Sequence, residues 1–209
     1  MKLISWNVQG LGKAQTFRET QQMVQEHRPQ ILFLCETKMM PKQMQNTARR
    51  LQFQNCFEVS RKGLGGGLIM MWTSEVTLEV KSFSNHHVDA VVHSENGSYW
   101  RCTGIYGHPE SDQKRHTWEL LRRLAVLTSL PWLCFGDFNE VLNLNEKIGG
   151  KDKSVSMVND FRETIRDCEL GDLGYSGYPF TWSNKRAGSH IIEERLDRFL
   201  CDSSWGNYF

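Results

Sequence analysis

The feature that most constrains this chain is a repeated one: a short apolar run that stops on a polar residue. Ile4-Ser5-Trp6 leads to Asn7, and Leu32-Phe33-Leu34-Cys35 leads to Glu36. Cys102-Thr103-Gly104-Ile105 leads to Tyr106, and Leu133-Cys134-Phe135-Gly136 leads to Asp137, with Asn139 close behind. Leu196 precedes Asp197 in the same way. Compact apolar runs bounded by turn signals read as buried strands. In α/β folds, strands of this kind present the residues at their carboxyl ends on a rim where ligands bind. A carboxylate just past a buried run is costly unless something pairs with it, and a divalent cation is one good partner. An amide, a few acids and several waters suit hard Mg2+ better than Zn2+, because no His/Cys cluster stands among them. Taken singly, each of these residues is an ordinary surface acid, turn former or packing residue; their conjunction carries the argument.

The rest of the chain supplies the other layers. Residues 15–27 read as a helix anchored by Phe17, Met23 and Val24, and Pro41 opens a second one reaching Leu51. Runs at 53–59, 67–72, 76–83, 88–92 and 99–106 read as strands, with short polar turns such as Arg61-Lys62-Gly63 and Glu95-Asn96-Gly97 that suggest antiparallel hairpins. Residues 117–130 form a helical pattern with Trp118, Leu121, Leu124 and Leu127 on one side, ended by Pro131. Residues 157–170 form another, with Phe161 and Ile165 inward and Ser156 as N-cap. This order predicts a layered α/β domain with helices outside stacked sheets.

Composition excludes some classes. A net charge of +1 is unlike the strongly basic balance of many free-standing nucleic-acid binders, although a local basic rim or a bound cation can still handle phosphates. No apolar stretch approaches the roughly 20 residues of a membrane helix. The six cysteines are scattered and mostly sit in apolar runs, so they read as free buried thiols in a reducing compartment, cytoplasm or nucleus. Gly63-Leu64-Gly65-Gly66-Gly67 lacks the lysine and hydroxyl ending of a phosphate cradle and reads instead as a tight turn into the next strand. Lys147, Lys151, Lys153, Lys185 and Arg186 lie in loops near the motifs, as phosphate contacts or as a solvated face.

Ser5-Trp6-Asn7, Cys35-Glu36-Thr37, Gly104-Ile105-Tyr106-Gly107, Gly136-Asp137-Phe138-Asn139 and Arg195-Leu196-Asp197-Arg198 stand in the order seen in the endonuclease/exonuclease/phosphatase superfamily, which the chain resembles. Trp6 to Gly12, Asp137 to Gly150 and Gly177 to Asn184 are similar to the endonuclease domain of plant LINE-type (non-LTR) retrotransposons. The resemblance implies a four-layered α/β sandwich of two stacked mixed or antiparallel sheets with outer helices. It also implies that residues 1–209 are a single domain whose last strands are missing at the C-terminus. By the same resemblance, Glu36 and Asn7 hold Mg2+, or Mn2+ in its place. Asp137, Asn139, Tyr106 and Asp197 are catalytic, and Thr181, Asn139 and Tyr106 contact the substrate. The family's late Ser-Asp-His does not occur here; none of the seven histidines follows Asp197, and His108 is a loop or DNA-rim residue. The implied activity is Mg2+-dependent DNA nicking on double-stranded DNA, by a monomer that an intact relative would carry within a retrotransposon polyprotein. The alternatives are a catalytically impaired remnant that only binds metal or nucleic acid, and a phosphomonoesterase of the same fold. Missing strands would leave core exposed, with Trp205, Tyr208 and Phe209 adding to it.

Overall fold

The computed structural model describes residues 1–61, 63, 65–94 and 97–207. The turn residues Lys62, Glu95 and Asn96, Leu64 of the glycine run, and Tyr208 and Phe209 lie outside the described residues. The chain divides into two compact units, Met1–Tyr106 and Gly107–Phe209.

In the first unit, β1 (Leu3–Asn7) and β2 (Ile31–Cys35) run parallel, joined by α1 (Ala14–His27). The next elements are α2 (Pro41–Arg50), β3 (Asn55–Val59) and β4 (Leu68–Trp72). β4 lies antiparallel to both β2 and β3, giving the sheet order β1-β2-β4-β3. Every residue of β2 is buried, which explains its continuous apolar sequence: neither face meets water. Leu32, Leu34, Ile69 and Met71 share one core with Phe17 of α1 and with Met44 and Ala48 of α2. Pro41 starts α2 where its missing N–H costs nothing. The strands β5 (Thr77–Ser84), β6 (His87–His93) and β7 (Tyr99–Tyr106) form an antiparallel meander. β7 comes so close to β2 that a Cβ on Gly104 would stand 2.6 Å from the Phe33 ring, so Gly104 is there for space.

The second unit holds α3 (Lys114–Ala125), β8 (Trp132–Asp137), β9 (Lys147–Ile148), α4 (Val155–Asp167), β10 (Gly171–Asp172), β11 (Trp182–Ser183), β12 (Glu193–Glu194), β13 (Asp197–Cys201) and α5 (Ser203–Gly206). β13 pairs antiparallel with both β8 and β10, while β12 lies between β9 and β11. Trp118 of α3 stacks on Phe161 of α4 at 4.5 Å, and Phe138 meets the same ring at 5.5 Å.

The α/β composition, the mixed pairing and the flanking helices agree with the sequence. The count of sheets does not. Among the described residues there are three, and the β9-β12-β11 sheet of two-residue strands has no place in a two-sheet sandwich. α3 begins at Lys114 and ends at Ala125, short of the expected Leu130, which leaves Leu127 exposed. Leu127 N donates to Leu124 O in a tightened last turn, and Thr128 Oγ1 takes Leu130 N, so the chain has left the helix before Pro131. α4 begins at Val155, so Ser154 holds the cap position and Ser156 lies inside the first turn. Trp205 is half-buried.

Buried charge is concentrated in the second unit. Lys114 Nζ lies 2.7 Å from Glu140 Oε2, and the Glu140 side chain is fully buried. Lys153 pairs with Glu140 and Glu194, and Lys147 also pairs with Glu194. Removing one partner of a buried pair strands the other. Lys114→Met is therefore expected to cost about 3 kcal/mol in urea unfolding; a change below about 1 kcal/mol would show that Lys153 alone satisfies Glu140.

Candidate functional site

The expected residues fall into two groups, one in each unit. In the first unit Asn7 and Cys35 are register partners at the ends of β1 and β2, which sets Asn7 beside the residue that follows Cys35, Glu36. Tyr106 closes β7, and its hydroxyl donates to Glu36 Oε1 at 2.6 Å. Glu36 Oε2 pairs with Lys38 Nζ at 3.0 Å. Asn7 Oδ1 accepts from Gln9 N at 3.2 Å, an Asx turn that fixes the amide. His86 Nδ1 lies 2.8 Å from Tyr106 O, and Tyr106 N donates to His86 O, so the β5–β6 turn grips the end of β7.

In the second unit Asp137 ends β8 and is buried. Asn139 N donates to Asp137 Oδ1 at 2.8 Å, and Asn139 Nδ2 donates to Gly107 O at 2.8 Å. Gly107 N returns a bond to Asp137 O at 2.7 Å. The loop closes tightly: a Cβ on Gly107 would stand 2.4 Å from Phe138 O. Lys114 Nζ donates to Asn139 O at 2.7 Å. Asp197 faces Asp137 across the β8–β13 ladder. Thr181 Oγ1 accepts from Leu196 N and Asp197 N, so this hydroxyl fixes the start of β13. Asp197 Oδ1 is enclosed and has no hydrogen-bond partner among the described residues. Burial, with the Asp137 carboxylate opposite, pushes the Asp197 carboxyl up to about 7; Thr181 and Arg198 pull more weakly the other way.

Among the described residues no cluster of three or more Asp, Glu, His or Cys side chains is spaced to enclose an ion. The first unit's donors, one carboxylate and one amide, suit a cation that keeps most of its water, which is Mg2+ behaviour. The Lys38 ammonium on Glu36 already shows that this carboxylate draws positive charge. Glu36 and Asn7 thus fit a water-rich hard cation and not a closed zinc cage.

Sequence reasoning missed the charged frame beneath the second group. Arg198 pairs with Glu146 and Asp172, and Arg195 reaches both of the same acids. A Cβ on Gly149 would stand 2.1 Å from Ile191 O, so the Glu-Lys-x-Gly-Gly stretch fits against the chain just before β12. The available signal was charge: Glu146, Lys147, Glu194, Arg195 and Arg198 alternate in sign within the two motifs. Lys147 and Lys153, set down as loop cations, are engaged in these pairs, whereas Lys151, Lys185 and Arg186 are exposed. His108 Nδ1 lies 2.9 Å from Thr117 Oγ1.

Comparison with known proteins identifies the family and the fold. The model of the Endonuclease/Exonuclease/phosphatase family matches residues 4–208. The chain belongs to that family. Its fold is similar to the endonuclease domain of TRAS1, a telomere-specific non-LTR retrotransposon, at 13% identity and a TM-score of 0.72, covering 98% of this chain and 86% of that one. It is also similar to the 3'-5' exonuclease NExo from Neisseria meningitidis, at 17% identity, 97% and 87% coverage and a TM-score of 0.72. The AP endonuclease LMAP from Leishmania major shares 16% identity, with 99% and 80% coverage and a TM-score of 0.74. No curated protein matches the chain. These solved structures share the fold with the chain at low identity.

The raised Asp197 pKa carries a pH signature. Below its ordinary 3.8 the group is protonated in both folded and unfolded chains and costs nothing; as pH rises toward about 7 the unfolded chain gives up its proton first, and stability falls. Asp197→Asn is expected to raise the melting temperature more at about pH 8 than at about pH 5. An equal shift at both would show that Asp197 is ionised in the folded protein throughout.

Proposed function

We propose that this chain binds a divalent cation and a nucleic-acid phosphodiester, and that the 209-residue polypeptide hydrolyses that bond only slowly. The observation that carries this reading is the pair of facing acids Asp137 and Asp197, with Asp197 Oδ1 enclosed and without a hydrogen-bond partner among the described residues, beside the assembled Asp137–Asn139 turn. The resemblance assigns Asp197 to the acidic cluster near the metal or the phosphate.

The roles are those that the resemblance implies. Glu36 and Asn7 hold the cation, whose bound charge would offset the extra negative charge of a phosphodiester under attack. Tyr106 turns its hydroxyl from Glu36 toward a phosphate oxygen and supports the charge that develops there. Asp137 accepts the proton of an attacking water, and Asn139 holds the water or the phosphate. Thr181 serves the substrate through the backbone it fixes and through its exposed position. Double-stranded DNA is the partner this reading favours. Free cysteines, five of them buried, fit a reducing setting in cytoplasm or nucleus. No helix among the described residues is long and apolar enough to cross a membrane.

A second reading, a competent Mg2+-dependent DNA-nicking endonuclease of a LINE-type element, is favoured by the intact Tyr106–Glu36 bond and the closed Gly107–Asp137–Asn139 ring. One pair of assays separates them. Binding to a labelled duplex is followed by anisotropy with and without Mg2+, and nicking of supercoiled plasmid is followed in parallel, for wild type, Glu36→Ala and Asp137→Asn. The first reading expects Mg2+-dependent binding that Glu36→Ala removes, with nicking reduced by about 100-fold or more relative to a competent family nuclease. Fast Mg2+-dependent nicking abolished by both substitutions would establish the second. Binding and nicking indifferent to Mg2+ and to Glu36→Ala would overturn both.

A further inference from the structure

The glycine run that begins at Gly63 ends at Gly66 and Gly67, and that end lies against the Glu36 turn. Glu36 and Lys38 both have left-handed backbones, at φ 54° and 55°. Such a turn needs outside support, because non-glycine residues adopt it at a cost of about 1–2 kcal/mol each. Backbone bonds supply that support from two sides. Gly10 N donates to Glu36 O at 2.8 Å and Leu11 N to Thr37 O at 3.0 Å. From the other side, Thr37 N donates to Gly67 O at 3.1 Å and Lys38 N to Gly66 O at 2.9 Å. Thr37 is buried, with its hydroxyl 3.4 Å from Met44 Sδ of α2, so it has no room to retreat. Gly67 sits at φ 88°, and a Cβ there would stand 2.5 Å from Thr37 Oγ1 and 3.5 Å from Lys38 N. A Cβ on Gly65, two residues earlier, would meet nothing within 4 Å.

We propose that Gly67 is a positioning residue for Glu36: its bare backbone straps residues 36–38 in the conformation that presents the Glu36 carboxylate for cation binding. The strap acts on the cation only through Glu36. The inference therefore rests on the reading of Glu36 as the cation's carboxylate. It also explains why the run ends in glycine without a phosphate to cradle, since Gly67 approaches the protein's own backbone.

The test is Mn2+ affinity, measured by isothermal titration on the full chain without DNA, for wild type, Gly67→Ala, Gly65→Ala, Glu36→Gln and the double variant Gly67→Ala/Thr37→Ala. Thermal melts of each are recorded alongside. Outer-shell changes around a metal ligand typically weaken binding 10- to 100-fold, so Gly67→Ala is expected to lose roughly tenfold or more. Gly65→Ala should bind as wild type. Removing Thr37 Oγ1 in the double variant should recover part of the loss, which a general loss of folding would not do. Should Gly67→Ala melt near wild type and keep wild-type affinity while Glu36→Gln loses it, the strap proposal is overturned and the reading of Glu36 stands. Should Glu36→Gln itself keep wild-type affinity, the cation is not on Glu36 and the strap has no cation to serve. If Gly67→Ala fails to fold, the double variant decides: folded, with affinity below wild type, it supports the strap; folded, with wild-type affinity, it overturns it.

Discussion

A strand buried on both faces must turn out of the core within a residue or two, and this requirement governs the candidate site. Glu36 and Asn139 follow the fully buried β2 and β8, Gln9 follows the half-buried β1, and all three take left-handed backbones, at φ 54°, 54° and 46°. The turn lifts the next side chains off the buried strand, and each turn is held by hydrogen bonds. Gln9 N is taken by Asn7 Oδ1, the residues after Glu36 are bonded from both sides, and Asn139 is tied to Asp137, Gly107 and Lys114. A net gain of about 1 kcal/mol per hydrogen bond is enough to offset the strain of each turn. Polar groups thus come to rest at strand ends because the core excludes them and the backbone has been shaped to receive them.

Charge is handled differently around Glu36 and in the second unit. The carboxylate of Glu36 is partly buried and shared between a tyrosine hydroxyl and a lysine, an arrangement that can exchange one cation for another. In the second unit, nearly every buried acid is matched to a buried base: Glu140 to Lys114, Glu194 to Lys147 and Lys153, and Glu146 and Asp172 to Arg195 and Arg198. Asp197 departs from that rule. Its enclosed oxygen and raised pKa mark it as the strained member of an otherwise neutralised frame, and strain of this kind is typical of functional positions.

Much of this was legible in the sequence because the signals were local. Ile31–Cys35 could be read as a strand to the residue, since an uninterrupted apolar run between Pro29 and Glu36 has few other uses. The Tyr106–Glu36 pairing could be expected only as part of a family pattern; the residues are far apart in sequence and nothing local links them. Helix ends were read less well. Leu127 fits the apolar stripe of α3, but the helix ends at Ala125 and leaves it exposed. The third sheet was invisible because two-residue strands such as Lys147–Ile148 and Glu193–Glu194 carry no period. The ion-pair frame was hidden for a similar reason: charges in loops look like solvated surface until their partners are placed beside them.

The central claim is that the turn after β2 prepares Glu36 to hold a hard cation. Crystals of the chain soaked in Mn2+, with data collected at the manganese edge, test it most directly. The account expects an anomalous difference peak within bonding distance of the Glu36 carboxylate, with Lys38 displaced from it. A peak at the Asp137–Asp197 pair alone, with Lys38 still on Glu36, would contradict it.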